Sequence, residues 1–171
     1  MPSTYTLITG QTIGSSAASY TFTAIPSTFT DLVVKWSARE SAASTERDLA
    51  IRFNNDSSTL YSNRWLRGDG SSASSSNVST FDRFFLGSYT PGANATSNTF
   101  SNGELYLPNY TASQNKPVSF FNALETNSAA AWLRADAGLY RSTTAISRID
   151  FIAVSTFIAG SSFYLYGIKN S

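Results

Sequence analysis

The feature that most limits the fold of this chain is an alternation of apolar and polar residues with a period of two. In one long segment Leu32, Val34 and Trp36 share one face, while Val33 and Lys35 take the other. This period is typical of β-strands. It predicts about ten short strands, at Tyr5–Thr9, Tyr20–Ala24, Asp31–Arg39, Arg47–Phe53, Leu60–Leu66, Phe81–Gly87, Glu104–Pro108, Val118–Leu124, Ala131–Leu139, Arg148–Val154 and Ser162–Lys169.

Composition and turn signals agree with an all-β fold. The 171 residues include 29 Ser, 19 Thr and 12 Asn, whereas strong helix formers such as Leu, Glu, Lys and Gln are scarce. Turn sequences lie between the strands, at Asn54–Asp56, Gly68–Gly70, Pro91–Gly92 and Asn102–Gly103. Turns spaced in this way predict an antiparallel, jelly-roll-like β-sandwich that forms one domain over residues 1–171.

One segment, residues 70–80, has a composition that favours a long surface loop. Its sequence, GSSASSSNVST, is rich in serine and contains a single large aliphatic residue, Val78. Such a segment buries too little apolar surface to offset the conformational entropy lost when it is ordered.

The absence of histidine and cysteine restricts the chemistry of the chain. It excludes Ser-His-Asp and Cys-His catalysis, disulfides and the usual zinc ligands. A pair of carboxylates remains the one route to acid–base catalysis, but no pair stands out among the eleven acidic residues. Asn54 and Asp56 offer oxygen ligands for Ca²⁺, although the same residues are ordinary turn formers. We therefore expect no enzyme activity, no catalytic residues, no metal site and no cofactor.

Charge and hydropathy argue against two classes of partner. Twelve basic and eleven acidic residues are spread thinly and give a net charge of +1, which does not predict binding to nucleic acid. No apolar run approaches the ~18 residues of a membrane span, and residues 1–5 do not show the pattern of a signal peptide. The lack of cysteine fits a reducing compartment such as the cytoplasm, or assembly inside a cell.

Two predicted strands look apolar on both faces, which indicates a cover on each face. Phe84 and Phe85 are adjacent and must point in opposite directions. The last strand has Tyr164, Tyr166 and Ile168 on one face, and its other face is equally apolar. Either a loop of the same chain or a neighbouring subunit must supply the second cover.

A third candidate contact is Trp65, which lies between Arg64 and Arg67 just before the Gly68–Gly70 turn. Tryptophan and arginine are favoured at protein interfaces, and an exposed tryptophan is also a platform on which a sugar stacks. The candidate interface residues are Arg64, Trp65, Arg67, Phe84, Phe85, Tyr164, Tyr166 and Ile168.

Four stretches, in this order and spacing, resemble a group of small virion proteins of tailed bacteriophages, of the marine and cyanophage type. They are Phe22–Leu32 (FTAIPSTFTDL), Ile51–Asp56 (IRFNND, followed by Tyr61), Ala137–Ile146 (AGLYRSTTAI) and Phe163–Lys169 (FYLYGIK, with its LYGIK ending). The likeness runs from near Tyr5 to the end of the chain.

The resemblance implies a jelly-roll-like structural protein of the virion and no catalytic motif. The expected function is a capsid decoration or cement protein on the virion exterior, which binds the major capsid protein or other virion proteins and stabilises the assembled shell. We expect a homo-oligomer, a homotrimer at a symmetric site, with an interface of about 1,600 Å² or more. The alternative is a tail- or fibre-associated module that binds a receptor or surface glycan.

Overall fold

The computed structural model describes residues 4–127 and 131–169, and within these ranges it contains twelve β-strands and no helix. In chain order the strands are β1 (Tyr5–Thr12), β2 (Ala17–Phe22), β3 (Asp31–Ala38), β4 (Glu46–Phe53), β5 (Tyr61–Gly68), β6 (Ala73–Phe81), β7 (Phe84–Pro91), β8 (Ser101–Leu107), β9 (Lys116–Glu125), β10 (Ala131–Tyr140), β11 (Ile149–Phe157) and β12 (Ser162–Ile168). The all-β fold predicted from the sequence is confirmed. Over the described residues, nothing helical is long and apolar enough to cross a membrane.

The strands form two antiparallel sheets that pack face to face. The large sheet has the order β1-β12-β3-β8-β9-β10-β5-β6, and the small sheet has the order β2-β11-β4-β7. The consecutive pairs β1/β2, β3/β4, β7/β8 and β11/β12 each place one strand in each sheet, at matching positions. This is the connectivity of a jelly roll, in which the chain crosses repeatedly between two four-stranded sheets.

The other four strands extend the large sheet beyond the jelly roll. The hairpin β5–β6 is inserted between β4 and β7, and the hairpin β9–β10 is inserted between β8 and β11. The hairpin β9–β10 pairs with β8 and the hairpin β5–β6 pairs with β10, so both insertions extend the same edge of the large sheet. The inner face of this four-stranded extension therefore continues past β7, the edge strand of the small sheet, and requires a different cover from the one that buries the rest of the core.

Aromatic rings fill the space between the two sheets. Phe163 of β12 is completely buried and packs on Tyr20, Phe151 and Phe157 at ring-centroid distances of 4.7, 5.2 and 5.1 Å. Trp36 of β3 is also buried and lies 5.3 Å from the ring of Phe151. The inward positions that the period of two predicts for these strands are thus confirmed.

The predicted loop at residues 70–80 is wrong, because most of this segment is strand β6. Its side chains are exposed except for Val78, so it buries almost no apolar surface, as the composition suggested. However, β6 is held by backbone pairing with β5 across a turn in which the Asp69 carboxylate accepts the amides of Ser71 and Ser72 at 2.8 and 2.6 Å. An edge strand needs hydrogen-bonding partners on one side only, and the hairpin supplies them.

The turn at Asn54–Asp56 is confirmed. Asn54 and Asn55 both have left-handed backbone conformations, with φ of 52° and 55°, which asparagine tolerates well. The Asn54 side chain also accepts the backbone amides of Ser147 and Arg148, so it joins the turn to the chain that enters β11.

The predicted turn at Asn102–Gly103 is wrong, because both residues lie within β8. Gly103 is a position where a side chain has no room, and its substitution gives a test of the core. It pairs with Trp36 on β3, and a Cβ atom added at Gly103 would lie 2.0 Å from Cε2 of the indole. Because that ring is buried against its neighbours, we expect Gly103→Ala to lower the free energy of unfolding by about 1–3 kcal/mol, measured by urea denaturation.

Gly14→Ala is the matched control, since nothing lies within 4 Å of the Cβ that it adds. Equal stability of the two variants would show that Trp36 is not fixed in the position described.

Candidate interaction surfaces

The candidate interface residues do not form one surface. Tyr164, Tyr166 and Ile168 lie on β12, the second strand of the large sheet, whereas Arg64, Trp65 and Arg67 lie on β5, the seventh. Five strand spacings of about 4.8 Å separate the two groups by roughly 24 Å. Phe84 and Phe85 lie on the small sheet.

Two of these residues are core residues, which corrects their assignment to a surface. Phe84 is completely buried and contacts the rings of Phe53, Tyr61 and Phe120 at 5.4, 5.0 and 5.1 Å. Ile168 is 7% exposed. Both are buried because they face structure of their own chain.

Phe85 points away from Phe84, as adjacent strand residues must, and is half-buried. Its ring packs on Phe81 of β6 at 5.8 Å. The second apolar face of this strand is therefore covered, in part, by the strand that precedes it.

A first exposed apolar surface lies on the outer face of the large sheet, at its β1 end. We call Tyr5, Leu7, Tyr164 and Tyr166 the tyrosine surface. Tyr5 and Leu7 are 49% and 55% exposed, and the ring of Tyr5 meets that of Tyr166 edge to face at 6.3 Å. Tyr164 lies across Gly10, where an added Cβ would be 2.2 Å from the ring. The tyrosines thus pack on β1 and still expose part of each ring.

At the other end of the large sheet, arginine and aromatic side chains alternate in a stack on the inner face. Arg67 lies 4.1 Å from the ring centroid of Trp132 and 5.5 Å from that of Trp65. Arg134 lies 4.5 Å from Trp65 and 5.1 Å from Tyr89. We call these five residues the Trp–Arg ladder. Cation–π contacts of this kind stabilise most where the groups are withdrawn from water.

Arg134 also anchors the extension to the small sheet through a buried ion pair. Its Nε and Nη2 donate to the two carboxylate oxygens of Asp136 at 2.9 and 2.8 Å, and its Nη1 donates to the carbonyl of Gly87 on β7 at 2.6 Å. Both charged side chains are at most 3% exposed. The ladder and this pair therefore cover the part of the inner face that the small sheet does not reach.

The Asp136 carboxylate has two further partners, which complete its hydrogen bonding. Asn63 donates to it at 2.9 Å and the hydroxyl of Tyr89 donates at 2.5 Å. Burial, followed by the negative charge of Asp136, raises the pKa of Tyr89 well above 10, so the phenol keeps the proton that it donates. A buried charge is tolerated when it is paired and hydrogen-bonded in this way.

A second exposed apolar surface lies on the outer face of the extension. Leu66, Phe121 and Leu133 are 59%, 49% and 54% exposed on β5, β9 and β10. Ala135 lies between Phe121 and Leu66 in the sheet register. These four residues, which we call the outer patch, border a shallow depression of about 250 Å³ whose lining includes Gly68 and Ala73.

Acidic residues are used mainly to hold the fold together. Asp150 pairs with Arg148 at 2.7 Å, and Asp82 pairs with Arg52 at 2.8 Å. Hydrogen bonds from Ser58 and then from Tyr140 hold the pKa of Asp56 below 3.8. The described ranges contain no group of three or more acidic side chains placed to hold a metal ion.

The structure defines a single jelly-roll sandwich, with an extended sheet and two exposed apolar surfaces. Neither the protein-family models nor the curated proteins compared with the chain gave a match.

Proposed function

We propose that this chain is a structural protein of a bacteriophage virion, a capsid decoration protein that binds the outside of the assembled shell and stabilises it. The observation that carries the proposal is the tyrosine surface, an exposed apolar surface on the outer face of the large sheet. The four sequence stretches that resemble phage virion proteins support it. The jelly roll supports it by analogy, since this architecture recurs in viral capsid domains.

The physical role follows from the properties of that surface. Tyrosine and leucine side chains give a large contact area at a small cost in side-chain entropy. Burial of one such side chain stabilises a complex by about 1.5–3 kcal/mol. The ion pair beside the tyrosine surface is Lys35–Glu104, whose opposite charges lie 2.8 Å apart. The pair has no net charge, so it does not oppose docking. A protein that acts in this way requires no cofactor.

The number of copies in the particle tests the proposal. In purified virions of the phage that encodes this chain, quantitative mass spectrometry is expected to find hundreds of copies per particle. A few to a few tens of copies would instead indicate the tail or fibre. Absence from purified particles would show that the chain is not a virion protein.

Rebinding to stripped particles tests the surface itself. We expect Leu7→Glu to weaken the binding of purified protein to particles from which it has been removed by at least about tenfold, because a charge replaces an apolar contact. Val154→Glu is the matched control, since Val154 is 52% exposed but lies on β11 of the small sheet. Equal binding of the two variants would contradict the assignment of the tyrosine surface.

The glycan-binding alternative gains no support from the position of Trp65. Its ring is half-buried and contacts the guanidinium groups of Arg67 and Arg134, so it already serves as part of the Trp–Arg ladder.

A further inference from the structure

The outer patch has a regular pattern of large and small side chains in two neighbouring rows. Across β9, β10 and β5, the first row has a large, a small and a large residue, and the second row has a small, a large and a small one. The first row is Phe121, Ala135 and Leu66, and the second row is Ala123, Leu133 and Gly68. Within each strand, therefore, a large residue in one row lies next to a small residue in the other.

This pattern is complementary to itself. Consider a second copy that packs face to face on this surface and is related to the first by a two-fold axis. The axis runs perpendicular to the strands, between the two rows. Each strand then lies over the same strand of the second copy, and the first row of one copy lies over the second row of the other. Phe121 then lies over Ala123 of the second copy, and Leu133 lies over Ala135. A two-fold interface requires this kind of self-complementarity, because residue i meets residue j and j meets i.

We propose that the outer patch is a homodimer interface with this two-fold axis. The proposal does not depend on binding to a capsid, and it uses the opposite end of the large sheet from the tyrosine surface. It assigns a second copy of this chain as the partner of the patch.

The depression beside the patch fits the proposed partner. It is lined by Gly68 and Ala73, next to Leu66, Leu133 and Phe121. The axis places Leu66 of the second copy over Gly68, where the absence of a side chain leaves room for it. The most exposed large residue of the patch thus enters the lowest part of the facing surface.

The same axis keeps like charges apart. The two rows continue onto β8 and β3, with Glu104 and Lys35 in the first row and Asn102 and Ser37 in the second. The exchange of rows therefore places Lys35 over Ser37 of the second copy and Glu104 over Asn102. Arg64 and Glu125 lie at opposite ends of the patch, so the axis brings Arg64 of one copy to the end that carries Glu125 of the other. Complementary rather than opposing charges therefore surround the apolar centre.

The available area is sufficient for a stable contact. The extension together with β8 has five strands of seven to ten residues. Seven residues on each strand give roughly 550 Å² per partner from the standard strand spacings. The total of about 1,100 Å² exceeds the ~1,000 Å² expected of a specific interface.

Sedimentation equilibrium over a concentration series, with Ala135→Leu as the variant, tests the proposal. The wild-type protein is expected to have twice the mass of one chain. Ala135→Leu adds apolar surface but places leucine over Leu133 of the second copy, so we expect the dimer dissociation constant to rise by at least about tenfold. The double variant Leu133→Ala/Ala135→Leu exchanges the two sizes within β10 and is expected to restore dimerisation.

Control experiments distinguish this dimer geometry from nonspecific association. Ala135 is exposed in the single chain, so circular dichroism is expected to show unchanged folding of the variant. Val154→Glu, on the small sheet, is expected to leave the dimer intact. A monomeric wild-type protein, a trimer such as the sequence suggests, or a dimer that Ala135→Leu strengthens would each overturn the proposal.

Discussion

Replacement of Asp136 with asparagine is expected to lower the free energy of unfolding by about 3–5 kcal/mol, because it leaves the Arg134 guanidinium buried without its counter-charge. The two side chains share two hydrogen bonds and are at most 3% exposed, so water cannot replace the lost carboxylate. Tyr89 and Asn63 lose a charged acceptor at the same time. Urea denaturation at neutral pH measures the change.

Lys35→Ala is the matched control for loss of an ion pair. Lys35 and Glu104 lie as close together, at 2.8 Å, but their side chains are 54% and 43% exposed. Exposed pairs contribute little, so this variant is expected to change stability by at most about 1 kcal/mol. Similar losses in the two variants would show that the Arg134–Asp136 pair is open to water.

A double replacement distinguishes the loss of stability caused by an unpaired buried charge from the net contribution of the ion pair to the free energy of unfolding. Arg134→Met/Asp136→Leu removes both charges and retains apolar volume, and replacement of a buried pair in this way is often neutral or stabilising. We therefore expect the double variant to be more stable than Asp136→Asn alone. A double variant that is less stable than the single one would mean that the Arg134 contacts with Gly87 and the Trp–Arg ladder contribute more than the ion pair costs.

The predictability of this structure from sequence differs between the jelly roll and its extension. In β3 the apolar residues of the alternating pattern face the small sheet, so Trp36 could be assigned to the core from the pattern alone. In β12 both faces are apolar, and the structure shows that the face of Phe163 is the buried one. In β10 the pattern is inverted. Arg134 and Asp136 are buried, whereas Leu133 is 54% exposed.

The inversion arises because β7 is the edge strand of the small sheet, and much of the inner face of the extension lies beyond it. This part of the face is covered instead by charged and aromatic groups that come together only through strand register. Arg134 pairs with Arg67 across β10 and β5, and this register brings Trp132 and Trp65 to either side of one guanidinium. The sequence indicated Trp65 and Arg67 as contact residues but not Trp132 or Arg134. Each of the latter two lies more than sixty residues along the chain from Trp65 and Arg67.

Strand β6 was missed for a related reason. Its pairing with β5 depends on a partner strand and a turn, and neither contributes to the composition of the segment itself. The outer patch was missed because the pattern of β10 places Leu133 on the face that the sequence alone would assign to the core.

Phe163→Ala is expected to cost about 3–5 kcal/mol of unfolding free energy, the usual range for loss of a buried aromatic ring. Phe163 lies where β12 packs against the small sheet, and its ring contacts Tyr20 of β2 together with Phe151 and Phe157 of β11. Its removal leaves a cavity that these neighbours can close only by moving two strands of the jelly roll. Tyr164→Ala is the matched control, since the adjacent ring lies on the outer face and is half-exposed. Chemical denaturation of both variants measures the difference, and a loss below about 1 kcal/mol for Phe163→Ala would show that β12 presents its other face to the core.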